Sequence, residues 1–62
     1  MRIRVIVRDV EKGEPVVRDV FELPVVYTKE GKFDRLTQSV MISAFAYLQD
    51  DKANTVVIEK VL

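Results

Sequence analysis

Apolar and polar side chains alternate from Arg2 to Val10, with Ile3, Val5 and Val7 on one side and Arg2, Arg4, Ile6 and Arg8 on the other. A period of two residues predicts a β-strand. The stretch Glu11-Lys12-Gly13-Glu14-Pro15 breaks the alternation with turn chemistry, because Gly13 takes positive φ cheaply and Pro15 lacks an amide donor. A hairpin loop is expected there. Val16 to Leu23 resumes the β pattern, and the pairing that collects the larger apolar groups on one face sets Val5 near Phe21 and Ile3 near Leu23. Pro24 interrupts this second strand. Val25, Val26 and Tyr27 predict a short edge strand before the turn Lys29-Glu30-Gly31-Lys32, and Val25–Thr28 is the segment the pattern leaves open between strand and loop.

Between Asp34 and Lys52 the spacing becomes helical. Thr37 is the expected N-cap, with Leu36 and Met41 as the staple around it and Asp34 as the competing cap. At 100° per residue, Leu36, Val40, Met41, Ala44, Tyr47 and Leu48 form one broad stripe able to cover a sheet. Asn54 is expected to close the helix in a left-handed conformation, and the β-branched run Thr55 to Leu62 predicts the last strand. These elements compose a single α+β domain over residues 1–62. The architecture is a small two-layer sandwich, ββ(β)αβ, with a mostly antiparallel sheet.

One helix covers one sheet face, yet Ile6, Val10, Val16 and Val20 are expected on the face opposite Val5 and Phe21. The last strand repeats this, since Val56 and Ile58 point one way and Val57 and Val61 the other. The helix also carries a second stripe, Gln38, Ile42, Phe45 and Gln49, at the four-three-four spacing of a helix-packing seam. Ser39, Ser43 and Ala46 flank it and would admit a close neighbour. The predicted interface therefore comprises Gln38, Ile42, Phe45, Ala46 and Gln49, and the simplest partner is a second copy related by a two-fold axis.

Length strengthens that expectation. A domain of 62 residues buries only about 60% of its unfolded surface, and small folds ordinarily add a staple. The chain contains neither cysteine nor histidine, which removes disulfides, thiolate or imidazole metal sites and the usual activated nucleophiles. Ser39 and Ser43 accordingly read as structural. Gly13 and Gly31 stand far apart and singly, unlike a phosphate cradle. Asp50 and Asp51 diverge by about 100° on a helix, and Asp9, Glu11 and Glu14 lack calcium-loop spacing, so both groups read as solvated. No catalytic residue, cofactor or metal is expected.

Ten basic and ten acidic residues cancel, so no net field draws the chain to nucleic acid or to an anionic membrane. The N-terminus lacks the apolar run of a signal peptide, and no window approaches the ~20 apolar residues of a membrane span. A cytoplasmic protein is expected. Arg2, Arg4 and Arg8 nevertheless share the outer face of the first strand, with Arg18 expected nearby, and strand pairs can enter a DNA groove in that way. Nucleic-acid binding is thus the alternative to a protein partner.

Hairpin, helix and closing strand in about sixty residues resemble, in layout, several small phage and bacterial proteins, among them the dimeric phage inhibitors of uracil-DNA glycosylase. Those inhibitors are strongly acidic and this chain is neutral. The only common stretch is the unspecific ending Lys60-Val61-Leu62. The expectation carried forward is a non-enzymatic homodimer that binds or inhibits another protein.

Overall fold

The computed structural model describes all 62 residues. Strands β1 (Arg2–Glu11) and β2 (Glu14–Pro24) form a hairpin closed by Lys12 and Gly13 alone. Both turn residues take positive φ, 52° and 81°, as a two-residue turn matched to right-handed strand twist requires. The loop is therefore shorter than the sequence implies, because Glu14 and Pro15 already pair with Glu11 and Val10. Ile3 faces Leu23 and Val5 faces Phe21, the expected register.

That register slips once. Val7 lies opposite Asp19 but Arg8 lies opposite Val17, so Arg18 is the extra residue of a β-bulge. The bulge inverts the parity of everything nearer the turn. Val17, not Val16, shares the outer face with Arg8, while Val16 lies opposite Asp9. Arg18 is redirected as well: its Nε donates to Asp9 Oδ2 at 2.8 Å, and Asp9 belongs to the Ile3, Val5, Val7 side of β1. The arginine predicted to extend the outer stripe thus points to the other face.

Helix α1 (Arg35–Gln49) follows, and β3 (Thr55–Val61) returns antiparallel along the free side of β1, giving the sheet order β2-β1-β3. The result is the α+β layout the pattern predicts, without a third strand before the helix. Val25–Thr28 forms no strand; Tyr27 makes a single antiparallel bridge to Phe33, with the two rings stacked 5.4 Å apart. Pro24 and the turn at Gly31, which has positive φ, leave too little chain between them to build a ladder.

Both helix ends differ from expectation for reasons of local chemistry. The N-cap is Asp34, whose Oδ1 accepts from the Thr37 N–H at 2.9 Å. The cap is thus the competing candidate, three residues earlier than Thr37, so Leu36 and Met41 do not flank it. Thr37 instead enters the first turn and is fully buried. Its hydroxyl approaches the Asp34 carboxylate without completing a well-formed hydrogen bond, and hydroxyl and backbone N–H together hold that carboxyl below the ordinary aspartate range. At the far end Asp51, not Asn54, is left-handed, with φ 54°. The Lys52 N–H reaches the Tyr47 carbonyl at 2.9 Å and the Asp51 N–H reaches that of Leu48 at 3.4 Å, the paired bonds of a Schellman cap. Asn54 spends its side chain elsewhere: Oδ1 accepts from the Val10 N–H at 2.8 Å and Nδ2 donates to the Val10 carbonyl at 3.1 Å, extending the β1–β3 ladder by one step.

The core lies between sheet and helix. Ile3, Val5, Val7 and Leu23 from the sheet meet Ala44 from α1 and Ala53 from the connection after it. Val40, Met41 and Tyr47 from the predicted helix stripe, with Phe21, Val25 and Val56, pack around this centre. Leu36 does not join them: it is 56% exposed, because the stripe is centred on Ala44 and Leu36 falls at its margin. Leu48 is only partly buried.

Candidate protein-interaction groove

The side of α1 that faces away from β2 stands over β3 without covering it. Val56 and Ile58 share the helix-facing side of the sheet, opposite Val7 and Val5. Val56 is packed against the core, yet Ile58 is 52% exposed. Above it, Ile42 is 69% and Phe45 51% exposed. Phe33, at the entrance to the helix, and Met41 complete an apolar groove of about 440 Å³ with Gln38 at its rim. The Gln38 amide Nε2 donates to the Phe33 carbonyl at 2.9 Å and fixes that end of the wall.

The predicted interface residues therefore divide. Gln38, Ile42 and Phe45 line the groove. Ala46 faces a separate shallow depression with Ser43, Tyr47, Asp50 and Lys52, and Gln49 is exposed outside both. Helical periodicity finds the α1 half of the groove. It cannot find Phe33 and Ile58, which are supplied by a loop and a strand and are brought alongside only by the tertiary fold.

No ionisable group lines the groove, so its chemistry is that of apolar burial. No family model, curated protein or solved structure matches this chain. The groove has to be read from its own residues. Clusters of three or more potential metal ligands are absent, and no helix is long and apolar enough to cross a membrane.

The outer sheet face is organised differently. Ile6, Val20 and Val57 form its apolar centre, since Val20 and Val57 flank Ile6 on the two neighbouring strands. Charges from all three strands close over one end. Arg4 reaches Glu59 at 3.0 Å and Glu22 at 3.4 Å, and Arg2 reaches Glu22 at 3.6 Å. The bond to Glu59 and the second to Glu22 raise the Arg4 pKa above its already high ordinary value, despite some opposing desolvation. Among the four arginines proposed for nucleic acid, Arg2, Arg4 and Arg18 are engaged by carboxylates of their own chain. Arg8 makes no ion pair, and its Nε is buried without a partner. Exposed pairs of this kind add little stability, but they do neutralise the stripe a phosphate backbone would have to find.

One polar contact anchors the opposite end of the helix. The Tyr47 hydroxyl donates to Asp19 Oδ2 at 2.9 Å, and this bond, with partial desolvation, raises the phenol pKa. Asp19 faces α1 because it continues the inward alternation of Leu23 and Phe21, opposite Val7.

Proposed function

We propose that this chain is a non-enzymatic protein-interaction module that acts as a homodimer through the groove between α1 and β3, the assembled dimer then binding or inhibiting another protein. The observation that carries this reading is the contiguous exposure of Ile42, Phe45 and Ile58 around a groove with no charged lining. Full burial of such a side chain contributes about 1.5–3 kcal/mol, so covering the exposed part of each returns roughly 1–1.5 kcal/mol. Two-fold symmetry doubles the set, for about 6–9 kcal/mol, against association costs of about 4–15 kcal/mol. The groove alone supports a weak dimer, and a tight one needs a further contact.

Sedimentation equilibrium or multi-angle light scattering tests the reading. The expected result is a species of twice the 7.2 kDa chain mass at tens of micromolar, converted to monomer by Ile42→Asp or Phe45→Asp with the far-ultraviolet circular dichroism unchanged. A wild-type monomer throughout that range, with stability indifferent to both substitutions, would refute it. Nucleic-acid binding through Arg2, Arg4, Arg8 and Arg18 predicts retention on DNA or RNA that falls steeply with salt, and the own-chain ion pairs of three of these residues weigh against it.

A further inference from the structure

The two edges of the sheet are not equivalent. Both polar atoms of the Val10 backbone point to Asn54, so the even-numbered residues of β1 direct their N–H and C=O groups towards β3 and the odd-numbered ones towards β2. Pro15 lies opposite Val10 and Pro24 opposite Arg2, which places each missing N–H on the outward edge of β2. With the bulge at Arg18 between them, that edge carries two standard obstacles to strand addition. The β3 edge carries neither: Thr55–Val61 contains no proline, no glycine and no bulge. In β3 the residues opposite even positions of β1 are Thr55, Val57, Glu59 and Val61, so Val56, Ile58 and Lys60 hold their N–H and C=O groups outward.

We infer that two copies pair β3 with β3 in antiparallel fashion across a two-fold axis at Ile58, joining two three-stranded sheets into one continuous sheet with both helices on the same face. The inference rests on the homodimer reading and specifies its geometry. Ile58 is the middle residue of Thr55–Val61, so this register overlaps the entire strand and pairs every outward N–H and C=O. Opposite partners are then Val56 with Lys60, Val57 with Glu59, Thr55 with Val61, and Ile58 with itself. No like charges meet. Moving the axis to Glu59 or Lys60 sets carboxylate against carboxylate or ammonium against ammonium, and moving it to Val57 leaves Lys60 and Val61 beyond the end of the partner strand.

The same axis accounts for the groove. Ile58 lies at once on the open edge and in the groove wall, so pairing at Ile58 brings the two grooves together over the new junction. The Ile42 and Phe45 side chains of each copy then flank a central Ile58 pair. A stable dimer buries about 800 Å² per partner, about a sixth of the 4733 Å² this chain exposes. The strand edge and the groove adjoin at Ile58, so one docking event covers both. A foreign strand would satisfy the backbone but would need its own apolar residue at the centre and no acid opposite Glu59. A second copy of this chain meets both conditions.

The chain has no cysteine, so Ile58→Cys introduces a single thiol on the proposed axis. Directly opposed hydrogen-bonded residues have Cα atoms about 5.5 Å apart, within the disulfide range of about 4.4–6.8 Å. Under mild oxidation at micromolar concentration, Ile58→Cys is expected to cross-link at least tenfold faster than Lys12→Cys at the hairpin turn. Amide exchange of the wild type gives an independent reading that requires no variant. Protection at Val56, Ile58 and Lys60 should rise at least tenfold between dilute and concentrated samples, while that at Val57 and Glu59 stays constant. A dimer by light scattering with neither preferential cross-linking nor this alternation would overturn β3 self-pairing and leave the homodimer reading standing. A monomer at all concentrations would end both, and protection gained only on adding a different protein would assign the edge to a foreign strand.

Discussion

Replacing Asp51 with glycine should stabilise the protein. Asp51 holds φ 54° at the end of α1, is exposed, and contributes only its backbone to the cap. A left-handed conformation costs an ordinary L-residue about 1–2 kcal/mol, with aspartate towards the lower end because its short side chain bonds locally. Glycine escapes that cost but loses about 0.5–1 kcal/mol through greater freedom when unfolded. The conformational gain is therefore about 0.5 kcal/mol. The substitution also removes an acidic group from the negative end of a helix, for about 0.3–1 kcal/mol. The total is about 1 kcal/mol, and at about 2.1 cal/mol/K per residue over 62 residues this raises Tm by about 8 °C. Thermal unfolding followed by circular dichroism at fixed protein concentration measures it. Asp51→Asn keeps the left-handed preference and removes only the charge, so it should gain about half as much. Asp51→Ala removes the charge but adds conformational cost, and should fall below both. If alanine raised Tm as much as glycine, the left-handed cap would not be the source of the gain, and the reasoning would fail.

Three further outcomes are expected. Asp34 has a carboxyl pKa lowered by the Thr37 hydroxyl and N–H, so its stabilising contribution is complete above the ordinary aspartate value of 3.8 and is lost as pH falls through the lower folded value; acid titration of stability should show a loss there that Asp34→Asn flattens. The Tyr47 phenol is raised above 10.0 by Asp19, so its contribution is present below that pH and disappears as pH climbs through the raised value; ultraviolet titration of the phenolate band should show a late-ionising tyrosine that Asp19→Asn returns towards 10.0 and Tyr47→Phe abolishes. Val5→Ala, at a fully buried position under α1, should cost about 2 kcal/mol in denaturant midpoint analysis, whereas Val17→Ala on the outer face should stay within about 0.5 kcal/mol.

The hairpin was legible from two local signals: alternation fixed which side chains face inward, and Gly13 fixed where the chain turns. Ile3–Leu23 and Val5–Phe21 follow from alternation and from gathering the larger apolar groups on one face; the two-residue turn alone would pair Ile3 with Glu22 and Val5 with Val20, and the bulge at Arg18 makes up the difference. The bulge at Arg18 was not legible, since no glycine marks it within Val16-Val17-Arg18-Asp19-Val20 and the sequence implies a longer loop than the two residues that put the turn one step out of register with the apolar face. The helix ends were misplaced for a different reason. Residue preferences favour Asn over Asp in the left-handed site, but Asn54 is drawn off by the vacant ladder position at Val10, and Asp51 takes the cap. Half of the groove was visible as the Ile42 and Phe45 stripe. The other half was hidden because Ile58 reads as an inward strand residue, and only the limited width of one helix over three strands leaves it open.

The central position of β1 has a kinetic consequence. The hairpin closes across two residues, while β3 must return to β1 over most of the chain, bringing Val61 beside Arg2. Long-range closure is slow, so β3 is expected to dock last in folding. Until then β1 presents a bare ladder from Arg2 to Arg8 to any passing strand, including the β3 of a neighbour. Exchange of that last strand between two chains would use the same β1–β3 hydrogen bonds as the native fold, and refolding at high concentration is therefore where swapped, entangled species should accumulate.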